Sequence, residues 1–95
     1  MSLNERDQLS LLSDLLTEQS EDCSGSVAEC QQIRRLVHSL MLKNSISNQE
    51  LAQLLPDIYN YGRQGELVQS LEEHITENQT NLKIWTNSIQ QSTIQ

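Results

Sequence analysis

Between Val27 and Met41 the apolar residues stand at Val27, Cys30, Ile33, Leu36, Val37, Leu40 and Met41. At about 100° per residue these side chains fill roughly half the circumference of one helix. One neighbour cannot cover so wide a face, so the spacing predicts a helix flanked on two sides. Burying the face is worth on the order of 10–20 kcal/mol gross, at about 1.5–3 kcal/mol per side chain. The rest of the chain is therefore expected to be organised around this segment.

The composition agrees with helices rather than a sheet. There are 15 Leu but three Val, no Phe, three Gly and one Pro in 95 residues, so turn formers are scarce and Leu far outnumbers Val. Such a length predicts one domain over residues 1–95, with a modest core that needs no staple. No apolar run approaches the ~18 residues of a membrane span, and the start lacks a basic stretch followed by an apolar one. A soluble cytoplasmic protein is expected, without a membrane partner. The net charge of −7 is unevenly placed: residues 1–29 carry seven acids against Arg6, and the remainder is nearly balanced. A phosphate backbone requires a basic face, so nucleic acid is not expected as a partner.

The order of elements follows from caps and spacing. Asn4 is suited to cap a first helix over about residues 5–20, whose inward stripe is Leu9, Leu11, Leu12, Leu15 and Leu16. Ser26 with Glu29 is a capping-box pattern that starts a second helix over 27–43, with Lys43 at its carbonyl end and Asn44 as the exit. Arg34 and His38 lie beside its apolar face, where each packs its stem and keeps its polar end in water. Ser47 with Glu50 repeats the capping pattern before Leu51, Leu54, Leu55 and Ile58, which predicts a third helix over 48–61, kinked or broken at Pro56 and ended by Gly62. A fourth helix is expected over 66–90, with the seam Val68, Leu71, Ile75, Asn78, Leu82, Trp85 and Ile89. The fold expected is all-α, an antiparallel four-helix bundle.

A 25-residue fourth helix would measure about 37 Å against about 24 Å for the first. Beyond Asn78, the cluster Leu82, Trp85 and Ile89 therefore has two possible fates. Either the second helix covers it within the same molecule, or a second copy does, with Asn78 setting register between the copies. Asn78, Leu82, Trp85 and Ile89 form the candidate interface.

Motifs with catalytic or ligand-binding chemistry are weak. Cys23 and Cys30 are the two cysteines. They allow a disulfide only if the connection folds back over a helical turn, and a closed zinc site would need them joined by His38 or His74. Glu66, Glu72, Glu73 and Glu77 raise a di-iron bundle, yet that site needs a Glu with a His three positions on, and His74 directly follows Glu73. No glycine-bracketed Ser or phosphate-cradling loop occurs. Ser47 to Leu55 resembles the first helix of a helix-turn-helix, but Pro56 to Gly62 offers no base for phosphates. No catalytic, cofactor or metal residue is assigned.

Asp22, Cys23, Ser24, Gly25, Ser26, Val27, Ala28, Glu29 and Cys30, with Arg35, Leu36, Ser39, Leu40 and Met41, resemble the YtzH-like family of small bacterial proteins. Asp57, Ile58, Tyr59, Asn60, Tyr61, then His74, Ile75 and Trp85, extend the similarity over most of the chain. The resemblance implies a cytoplasmic bacterial protein and carries over no catalytic or binding residue. The expectation is a non-enzymatic acidic interaction module that takes a protein partner or self-associates through the fourth helix. A thiol- or metal-responsive regulator using Cys23 and Cys30 is the alternative.

Overall fold

In the computed structural model of the protein, residues 5–22, 25–43 and 49–94 are described, and their regular structure is entirely α-helical. The helices are α1 (Glu5–Asp22), α2 (Val27–Lys43), α3 (Gln49–Leu67), α4 (Leu71–Glu77) and α5 (Gln79–Ile94). The caps expected at Asn4, Asn44 and Ser47, and the thiol of Cys23, lie outside the described residues.

The capping box that starts α2 forms as the spacing requires. The Ser26 amide donates to Glu29 Oε1 and the Glu29 amide to Ser26 Oγ, both at 3.2 Å. Along α2, Cys30, Ile33, Leu36, Val37 and Leu40 are buried, whereas Val27 and Met41, at the two ends of the face, stay 47% and 42% exposed. The face is therefore shorter than its sequence stripe, because the neighbouring helices cover its middle turns. Those neighbours are α1 and α3. Gln8 reaches Ser39 near one end of the α1/α2 pair and Gln19 reaches Glu29 near the other, so these helices run in opposite directions. Gly65 beside Cys30 and Gly62 beside Arg34 show the same for α2 and α3.

The other two sides of the molecule are closed by α5, which packs on α1 and on α3. Each of the four long helices thus has two long neighbours. One contiguous core includes Leu12 and Leu16 of α1, Ile33 and Leu40 of α2, Leu51 and Ile58 of α3, Ile75 of α4, and Leu82 and Ile89 of α5.

Three boundaries differ from the sequence expectation. Helix α3 neither breaks at Pro56 nor stops at Gly62. Pro56 sits inside the helix on its exposed side, and the helix continues to Leu67. The single helix expected over 66–90 is two helices. Ser70 caps α4 by accepting the Glu73 amide at 3.3 Å, and Asn78 ends it with φ −101° and ψ 10°. Asn78 Nδ2 donates to the His74 carbonyl at 2.9 Å, a local bond that competes with helix continuation. The Asn78 carbonyl in turn accepts from the Leu82 amide at 2.8 Å, opening α5. The division removes the length mismatch: α1, α2, α3 and α5 have 18, 17, 19 and 16 residues. No part of α5 needs to project.

Gly62 and Gly65 explain why α3 approaches α2 so closely. A Cβ on Gly62 would lie 3.0 Å from the Cys30 carbonyl oxygen and 3.2 Å from the Arg34 amide nitrogen, and one on Gly65 would collide with Cys30 Sγ. In an exposed helix, Gly→Ala is stabilising by roughly 0.5–1 kcal/mol. Here overpacking reverses the sign, and Gly65→Ala is expected to lower stability by about 1–3 kcal/mol. Denaturant unfolding of Gly65→Ala, Cys30→Ala and the double variant checks this. The collision predicts that the double variant loses less than the two single losses added together.

Candidate functional site: a polar core beneath the cleft between α3 and α5

Every helix sends one side chain with a polar or aromatic group into a common cluster: Gln19 from α1, Cys30 from α2, Tyr61 from α3, His74 from α4 and Trp85 from α5. Gln19 lies one turn beyond Leu12 and Leu16 on the same stripe of α1, which carries it inward. Its Oε1 accepts from the Tyr61 hydroxyl at 2.6 Å. The amide nitrogen donates to Glu29 Oε1 at 3.4 Å and stands 3.9 Å from Cys30 Sγ. The Tyr61 ring stacks on His74 at 4.6 Å between centroids and meets Trp85 edge-on at 5.6 Å. His74 Nε2 lies 3.0 Å from the Tyr61 carbonyl oxygen. A carbonyl can only accept, so this nitrogen is assigned the proton.

Burial sets the acid–base character of the cluster. It pushes the Tyr61 phenol well above its ordinary range, with the Cys30 and Glu29 charges adding to the effect. Burial also raises the Cys30 thiol, opposed by the Gln19 hydrogen bond and assisted by Glu29 and Glu66. A thiol held protonated is a poor nucleophile and a poor metal ligand. Cys30 is free and buried. Among the described residues no group of three or more His, Cys, Asp or Glu side chains is placed to hold a metal ion. The cluster joins side chains from all five helices at one buried point.

Above it, between α3 and α5, opens a cleft of about 370 Å³. Its deeper lining is Leu54, Tyr61 and Trp85, which are buried or half-buried, and its exposed lining includes Asn60, Gln64, Asn81 and Ile84. Asn78 lines the cleft at the α4/α5 joint, with Asn81 Nδ2 donating to its Oδ1 at 3.2 Å.

The residues expected to form an interface are divided by the fold. Asn78 and Trp85 line the cleft, whereas Leu82 and Ile89 are fully buried in the core of the same chain. The helices that lie closest along α5 are α1 and α3, and Leu82, Trp85 and Ile89 share one core with the buried face of α2. Ile84, 52% exposed, is a large apolar side chain that α5 turns outward. The sequence reading did not single out Gln19; it named Tyr61 only within the family resemblance, and weighed His74 only as a possible metal ligand. Gln19 and Tyr61 could have been found, since each falls three residues after a stripe residue, Leu16 and Ile58 respectively.

The family described as YtzH-like protein matches the chain over residues 3–89, a span that takes in the whole cluster. The chain belongs to this family. A relative from Bacillus subtilis (strain 168), named "Uncharacterized protein YtzH", is 35% identical over 89 residues, covering 94% of this chain and 96% of the relative. No solved structure matches the chain significantly.

Tyr61→Phe removes the hydroxyl and leaves the buried Gln19 Oε1 without its donor, at an expected cost of about 1–3 kcal/mol in denaturant unfolding. Alkaline titration tests the same site. The ordinary Cys and Tyr values are 9.0 and 10.0, and both groups are raised in the folded protein. Above those values the unfolded chain loses protons that the folded one keeps, so stability falls as pH rises beyond about 9. The fall is expected to be shallower in Tyr61→Phe.

Proposed function

We propose that the chain is a small non-enzymatic interaction module that self-associates through the face around the α3/α5 cleft. The observation that carries this is the exposure of Ile84 at the cleft, among the neutral amides of Asn60, Gln64, Asn78 and Asn81. A chain of net charge −7 meets its own copy most easily on a face poor in charge, and Asp57 is the one carboxylate in the cleft lining. Side-chain amides both donate and accept, so the lining can pair with itself across a two-fold axis. The four long helices make an antiparallel bundle in this proposal, with α3 bent around the core at Pro56. Their closed ring of neighbours supports that arrangement. A thiol sensor is disfavoured on chemical grounds, because the Cys30 thiol is buried and held protonated.

Sedimentation equilibrium of the intact chain and of Ile84→Glu tests the proposal, with circular dichroism as the control for folding. A dimer is expected for the intact chain and a folded monomer for the variant. A monomeric intact chain at high concentration overturns self-association. A variant that remains a dimer overturns the α3/α5 face.

A further inference from the structure

On another face, between α2 and α3, an open groove of about 510 Å³ is lined by Arg34, Tyr59, Arg63, Glu66 and Leu67. Tyr59, Arg63, Glu66 and Leu67 recur at steps of four, three and one along α3, so they share one side of that helix. Glu66 Oε2 accepts from Arg34 Nε at 2.7 Å. This bond, with a second hydrogen bond between Arg34 and Tyr59, fixes the orientation of the guanidinium. Arg63 is exposed and makes no ion pair among the described residues. The lining therefore holds two guanidinium groups against one carboxylate, and it is locally cationic on a chain of net charge −7. Leu67 adds an apolar surface that is 76% exposed, the greatest exposure among the large hydrophobics of the described residues.

We infer that this groove docks an acidic segment of a partner protein, one in which a carboxylate side chain is followed closely by an apolar one. The carboxylate would meet Arg63, beside an Arg34 guanidinium held by Glu66 and Tyr59, where a charge-assisted bond to Arg63 is available. The apolar side chain would lie on Leu67 and the Tyr59 ring. A polyanion such as nucleic acid fits less well. Two guanidiniums are too few to offset the exposed carboxylates of Asp14, Glu18, Glu21 and Asp22 on α1. This inference rests on the interaction-module reading in general but uses a different face from the self-association surface.

The test is fluorescence polarisation of a labelled peptide of alternating Glu and Leu, with the intact chain and with the Ile84→Glu variant. Binding by both is expected, so that failure of self-association does not affect this site. Arg63→Glu should weaken binding by about tenfold or more, the size of one lost charge-assisted contact. Lys83→Glu, an equal change in net charge on α5, should leave it within about twofold. The inference is overturned if the peptide does not bind, or if a Gln/Leu peptide binds as well as the Glu/Leu one. It is equally overturned if Lys83→Glu weakens binding as much as Arg63→Glu does.

Discussion

The approach of α3 to α2 depends on two missing side chains. With hydrogen at the Cα of Gly62 and Gly65, the backbone of α3 lies against the Cys30 carbonyl and the Cys30 sulfur. Any Cβ at those places would push the helices apart, since packed interiors have little slack. The close pair then places Arg34 beside Glu66 and brings the Tyr61 ring under the core end of α1. Both the cationic groove on one side and the polar cluster on the other follow from this contact.

The polar cluster turns a pattern of leucines into a defined arrangement. Leucine stripes alone accept many rotations of one helix against another, with small differences in energy. A buried amide or hydroxyl that loses its partner carries a penalty of roughly 1–3 kcal/mol, so Gln19 and Tyr61 restrict the register of α1 against α3. His74, stacked on Tyr61 and bonded to its carbonyl, ties α4 to the same point. Asn78 completes the arrangement by ending one helix and opening the next, which lets α5 turn back along α1 and α3 at a length that matches its neighbours.

Much of this fold was legible in the chain. The five middle residues of the α2 stripe are buried, and the Ser26–Glu29 box marks the helix start. Where the sequence pointed elsewhere, one residue type had two physical uses. Glycine after an apolar run commonly ends a helix, but Gly62 and Gly65 serve close packing inside one. Asn78 in a seam can set register between copies, but here its amide bonds back to His74 and divides the helix. The Ser70–Glu73 pair carried the same capping pattern as Ser26–Glu29 and was overlooked inside a longer apolar rhythm. As for the candidate site, Trp85 and Asn78 were legible as residues of interest. Their separation from Leu82 and Ile89 was not, because it depends on which helices come to cover α5.

The Cys30 sulfur, enclosed by α2, the backbone of Gly65 on α3 and Gln19 of α1, is fully buried while those helices stay together. An alkylating reagent can reach it only after one of those contacts has parted, so the speed of Cys30 modification reports how often the helices around it separate. The molecule thus contains a chemical clock for its own breathing, set at the contact on which its architecture turns.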